Sequence, residues 1–234
     1  MSVNMGTGLY LKQGMIRCCI LFTLAVGCFL LTVGQWIVTE EATHFFLNWN
    51  LFLAAVPWII SLILSSQFIQ KKPKILSVVL FIFWFLFFPN APYLITDLHY
   101  LRNHSPGRMF WYDLIMLLLF AWTGLLFGFF SLDRIENMLA RRLSSVTSAI
   151  ITSGLLFFCA FGIYMGRYLR WNSWDVLFNL DKLFLDVFDR FIRPFNHVRT
   201  WGFTLLMGVF LNVIRWSLKL LVYEGRISSP EGKK

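Results

Sequence analysis

Phe87-Phe88-Pro89-Asn90-Ala91-Pro92-Tyr93-Leu94-Ile95-Thr96-Asp97-Leu98-His99-Tyr100 closes an almost unbroken apolar run that begins at Ile75. Two prolines three residues apart remove backbone donors and fix φ, so a regular helix cannot pass through them unaltered. Behind the break stand an amide, a phenol, a hydroxyl, a carboxylate and an imidazole. Polar backbone and ionisable side chains at membrane depth are tolerated only where protein or a water-filled cavity surrounds them. The stretch therefore reads as a broken third membrane helix and as a candidate site.

The composition supports a membrane setting. Of 234 residues, 58% are hydrophobic and only 14% charged, where a soluble domain carries roughly 25% charged residues. Apolar runs at about 16–38, 45–69, 75–95, 109–132, 146–168 and 200–223 each reach the roughly 20 residues that cross a hydrocarbon core. The predicted fold is an all-α bundle of six spans within one polytopic domain, residues 1–234. The first run is too long for the apolar core of a signal peptide and no small-residue cleavage site follows it, so it is expected to be retained.

The formal charge of +9 does not require nucleic acid, because no nucleic-acid module or basic-aromatic groove accompanies it. Lysine and arginine retained beside anionic cytoplasmic lipid explain it. The short loops decide orientation: Lys71, Lys72, Lys74, Arg134, Arg141 and Arg142 fall on one side with the basic termini, against Arg102 and Arg108 opposite. Both termini are thus expected in the cytoplasm. The four cysteines, Cys18, Cys19, Cys28 and Cys159, lie within apolar runs without metal-ligand spacing and report no redox compartment.

Residues 174–193 carry helical periodicity, with Leu177, Leu180, Phe184, Val187, Phe188 and Phe191 on one stripe. Asp175, Asn179, Lys182, Asp186, Arg190 and Arg193 fill the other, and Ser173 is placed to cap the helix. Such a segment lies in the headgroup plane. On this map Asn48 and Asn50, Asn90 to His99, Trp111 and Asp113, and Arg167 to Asp175 all belong to the extracytoplasmic ends of spans.

These residues offer two chemistries. If the chain is extended after Pro92, Asp97 and His99 share a side and can converge on a divalent ion, with Asp113 as third ligand. The competing reading makes them helix caps, Asp113 meeting the positive end of its helix. Arg167 and Arg170, beside Trp171, Asn172, Trp174 and Asp175, suit a phosphate or other anion, although Trp and Arg also populate ordinary interfacial belts. Asn90 and Tyr93 serve either a ligand or the carbonyls freed by the prolines. Gly124-x-x-x-Gly128 permits close helix approach. Arg215, near Asn212 in the last span, lies within snorkelling reach of the cytoplasmic interface.

Trp49-Asn50-Leu51-Phe52-Leu53-Ala54, Pro89-Asn90-Ala91-Pro92-Tyr93 with Thr96-Asp97-Leu98-His99, Trp111-Tyr112-Asp113-Leu114, and Gly162-Ile163-Tyr164-Met165-Gly166-Arg167 with Arg170-Trp171-Asn172-Ser173-Trp174-Asp175 together resemble a bacterial family of multi-pass membrane proteins, domain of unknown function 1361. The resemblance covers roughly residues 45–215. It implies a bacterial inner-membrane protein and no particular activity.

Three function classes follow. One is an enzyme on a lipid or lipid-linked anionic substrate at the outer leaflet, with Asp97, His99 and Asp113 as acid, base or metal ligands and Arg167 and Arg170 on the headgroup. Asn50, Asn90, Tyr93 and Trp111 would line the same site. The others are a small-solute transporter, and a non-catalytic sensor, assembly factor or lipid-binding partner. Membrane lipid is the expected partner in the first and third. Oligomeric state leaves no mark on the sequence.

Overall fold

The structure is a computed structural model that describes residues 3–66, 73–103, 109–171, 173–174 and 178–227. All regular structure among these residues is helical: α1 (Val3–Thr39), α2 (Phe46–Ser65), α3 (Lys74–Phe87), α4 (Asn90–Tyr93), a 3₁₀ segment (Leu94–Asn103), α5 (Phe110–Ala140), α6 (Ser145–Leu169), α7 (Leu180–Ile192), a 3₁₀ turn (Pro194–His197) and α8 (Val198–Ile227). Among the described residues six stretches are long and apolar enough to cross a membrane: Gly14–Thr39, Phe46–Ser65, Lys74–Leu101, Phe110–Ala140, Ser145–Leu169 and Pro194–Glu224. The protein is an all-α multi-pass membrane protein. Its chain divides into two compact units, Met1–Ser131 and Leu132–Lys234.

In the first unit, α1 lies along α5. Cys28 Sγ is 3.6 Å from Thr123 Oγ1, and the Tyr112 hydroxyl donates to the Leu31 carbonyl at 2.6 Å. That bond needs Gly34, because a Cβ there would stand 2.7 Å from the Tyr112 oxygen. Leu21, Cys28, Leu47, Leu51, Ala54, Met116, Leu117 and Phe120 form the core with Ala91 and Leu94. The Trp84 indole donates to Ser131, whose hydroxyl donates to the Pro57 carbonyl at 3.1 Å, so one polar relay ties α3, α5 and α2.

The proline break forms where the sequence puts it, but the chain beyond is not extended. Pro89 occupies the residue before α4 with φ −60°, and Pro92 sits in the first turn of α4. First-turn N–H groups have no helical partner, so a missing one costs nothing, and the fixed φ suits a helix. The chain restarts as helix and tightens into the 3₁₀ segment. With about three residues per turn, Phe88, Ala91, Leu94 and Asp97 fall on one row, and all four are buried. That row packs on Gly124 and Gly128, where an added Cβ would strike the Ala91 carbonyl and Leu94 at one position and touch Ala91 Cβ at 3.2 Å at the other. The occupant of the Gly-x-x-x-Gly groove is thus the broken segment itself.

In the second unit, α6 packs on α8. Ser144 caps α6 by accepting the Thr147 N–H at 3.0 Å. Residues 133–140, expected as a charged loop, continue α5 through two further turns because Leu132 and Ile135 are buried on the same helical face. The continuation brings Glu136 to Arg215 and Lys219, both of which bond it, with Asp133 3.9 Å from Arg215. Arg215 is 2% exposed: it is neutralised inside the protein rather than snorkelling.

The amphipathic helix begins at Leu180, not at 174, with Asn179 preceding it. Ser173 lies in a turn ahead of it. Residues 175–177 lie outside the described residues. Its apolar stripe points outward, Leu180, Phe184, Phe188 and Phe191 being exposed, while Arg190 is buried. That polarity suits a helix with lipid on its outer side.

Candidate functional site

Two polar clusters carry the sequence candidates, one in each unit. In the first, Asp97 is 1% and Asp113 4% exposed. A buried carboxylate must be hydrogen-bonded, and each receives an amide from another helix. Asn50 Nδ2 of α2 donates to Asp97 Oδ2 at 3.2 Å, and Gln35 Nε2 of α1 donates to Asp113 Oδ1 at 2.9 Å. Asn48 Nδ2 donates to Thr32 Oγ1 at 2.9 Å, a third amide link and the one that joins α2 directly to α1. The arrangement clamps the C-terminal end of α1 and the N-terminal end of α2 to α5 and the 3₁₀ segment.

His99 does not join this cluster. A 3₁₀ helix turns about 120° per residue, so residues two apart diverge where an extended chain would align them. Asp97 takes the buried row and His99 is exposed. The premise for a shared Asp97–His99 ion, extended chain, is therefore replaced, and among the described residues no three His, Cys, Asp or Glu side chains group around a metal position. Asn90 Nδ2 donates to the Phe87 carbonyl at 2.9 Å, rescuing a carbonyl at the break. Thr96 does the same for Tyr93, whose carbonyl accepts its hydroxyl at 2.7 Å; the Tyr93 side chain is half-buried. Trp111 is 70% exposed and faces away from the protein.

The second cluster sits where α6 ends. Arg170 adopts the left-handed conformation, φ 59°, and the N–H of Trp171 reaches back to the Met165 carbonyl at 3.2 Å. This is a Schellman-type stop, in which the left-handed position usually holds glycine. Arginine there carries a Cβ penalty of about 1 kcal/mol, yet its side chain is exposed. The Trp171 indole donates to Asp186 Oδ2 at 2.8 Å. Arg190 lies 3.8 Å from the same carboxyl group and also bonds the Asp186 carbonyl. The Trp201 indole donates to the Arg190 carbonyl at 3.1 Å, and Trp201 packs edge-on to Phe191 with centroids 5.0 Å apart. These bonds bolt α7 to the ends of α6 and α8. Arg167 and Trp174 are half-buried; Asn172 and Asp175 lie outside the described residues.

Three participants were missed by sequence pattern. Gln35 is a lone amide inside an apolar run, and its isolation was the available signal. Asp189 and His197 bond each other at 2.7 Å across Pro194, and nothing in their eight-residue spacing announces it. The hydrogen bond with His197, with Arg193 and Arg190 adding attraction, holds the Asp189 carboxyl below the ordinary carboxylate range.

Six spans, a proline-broken third helix and paired interhelical amide–carboxylate clamps define a polytopic helical membrane protein. The chain belongs to the family described as protein of unknown function, DUF1361, whose model matches residues 49–214. Neither a curated protein nor a solved structure matches it.

Proposed function

We propose that this protein binds an anionic lipid headgroup, or the phosphate of a lipid-linked molecule, at the extracytoplasmic face of the bacterial inner membrane, with both termini in the cytoplasm. The observation that carries the reading is Arg170. An exposed arginine held at a backbone position that favours glycine is strain retained at a surface, and such strain marks functional positions. Its neighbour Trp171 is fixed by Asp186, and α7 offers Phe184 and Phe188 toward lipid. Arg167, one turn earlier, supplies a second guanidinium. No nucleic acid enters this reading. Asp97 and Asp113 serve as clamps in it, since each is buried and already engaged by an amide.

The test is a pair of opposite effects in one variant. Arg170→Gly relieves the left-handed strain and raises stability by about 1 kcal/mol. It also removes a charge-assisted hydrogen bond worth about 1.5–3 kcal/mol, so affinity for an anionic lipid falls at least about tenfold. Purified protein is reconstituted in nanodiscs of phosphatidylethanolamine, phosphatidylglycerol and cardiolipin, and retained lipid is read by native mass spectrometry. Equal retention of anionic lipid by wild type, Arg170→Gly and Arg167→Gln defeats the proposal.

A further inference from the structure

The second unit contains a pair that the lipid-binding reading leaves unused. Pro194 opens the 3₁₀ turn that follows α7, and the turn swings His197 back over the last helical residues. There His197 Nε2 meets Asp189 Oδ2 at 2.7 Å. The imidazole side chain is 24% exposed. With Nε2–H donating to the carboxylate, Nδ1 keeps its lone pair on a ring that is not buried. An imidazole oriented by a carboxylate, with its other nitrogen open, is the working half of a general-base site.

We propose that Asp189 and His197 form a general-base dyad that directs water onto a phosphodiester of a lipid or lipid-linked headgroup. The inference rests on the lipid-binding reading above and gives that ligand a reaction. The surroundings fit an anionic substrate at an interface. Arg193 stands 3.6 Å from Asp189 Oδ1, and the exposed Arg199, in the first turn of α8, holds its guanidinium carbon 4.5 Å from the centroid of the Tyr168 ring. Phe188, Phe191 and Phe195 on the approach are exposed, Phe195 by 89%, so the dyad sits at the rim of a surface that lipid would cover.

The step balances without a cofactor. His197 Nδ1 takes one proton from water as the water oxygen forms a bond to phosphorus. The phosphorus–oxygen bond to the departing alcohol breaks, and its electron pair goes to that oxygen. The imidazolium returns the proton there. Asp189 stays an anion throughout and balances the transient imidazolium, as carboxylate partners of catalytic histidines do. The products are a phosphomonoester and an alcohol.

Hexadecyl 4-nitrophenyl phosphate in mixed micelles with the full-length chain tests this, because its leaving group needs no proton and release reports the base alone. Wild type is expected to release 4-nitrophenolate faster than protein-free micelles. His197→Gln is expected to lose about 100-fold, and His197→Ala to regain rate with added imidazole, a rescue no structural role predicts. Asp189→Asn should lose less, and Asp189→Glu should restore the rate. Size exclusion and far-ultraviolet dichroism show whether each variant folds. Absence of wild-type turnover, or turnover by His197→Gln equal to wild type, overturns the dyad. Phosphatidylglycerol retention, measured on the same preparations, separates the failures: retention without turnover removes only the catalytic inference, whereas loss of both removes the binding reading too.

Discussion

Gly124 and Gly128 share one helix, one groove and one intrinsic benefit from alanine, and their steric surroundings differ. Alanine in place of glycine within a helix gains about 1 kcal/mol. At Gly124 the new Cβ would lie 2.6 Å from Leu94 Cδ1 and closer still to the Ala91 carbonyl oxygen. A backbone oxygen within a 3₁₀-bound row cannot swing aside, so the overpacking cost falls toward the upper part of the usual range of about 1–3 kcal/mol. Gly124→Ala is therefore expected to destabilise by about 1–2 kcal/mol net. At Gly128 the nearest atom is Ala91 Cβ at 3.2 Å, followed by Pro92 Cδ at 3.7 Å, an overlap of a few tenths of an ångström. There cost and gain nearly cancel, and Gly128→Ala should stay within about 0.5 kcal/mol of wild type. The midpoint of SDS-induced unfolding in mixed micelles, followed by tryptophan fluorescence, measures both. The common propensity gain drops out of the comparison, so the difference isolates the contact with the broken segment. If Gly124→Ala proves as stable as Gly128→Ala, the broken segment does not fill that groove and the packing argument fails.

Asp113→Asn leaves an oxygen for the Gln35 amide and should change stability little, whereas Asp113→Ala strands that buried donor and should cost about 1–3 kcal/mol; equal losses in chemical unfolding would remove the clamp. Asp189 has a folded pKa below its unfolded value, so its contribution is present above the unfolded carboxylate range and is lost as pH falls through the folded pKa. Hydrogen exchange over residues 180–197 should therefore quicken on acidification below that range in wild type, beyond the intrinsic rate, and Asp189→Asn should exchange fast at every pH; a protection that ignores pH would contradict the bond to His197.

The spans were legible because the length of an apolar run governs whether a segment can cross a bilayer. The break was legible because proline acts locally. The conformation after the break was not, since proline's fixed φ permits both extended and helical continuation, and burial of Phe88, Ala91 and Leu94 chose the helix. That choice separated Asp97 from His99. The overrun of α5 was obscured by the charges of Asp133 to Arg142, whose partners lie some 80 residues downstream. In the same way Asn50 and Gln35 find their carboxylates 47 and 78 residues away, distances at which single-sequence pattern is silent. Arg170 was named for its charge; its backbone state, the more telling property, has no signature in an arginine.

The ion cluster of the second unit also sets an order of events during synthesis. Glu136 is made with the fourth apolar helix, and the arginine and lysine that neutralise it are encoded in the sixth. A chain still emerging holds a carboxylate without its counter-ions until α8 arrives. A carboxylate without its cations is costly to bury, so this ion cluster closes only once the last helix is made and Arg215 docks.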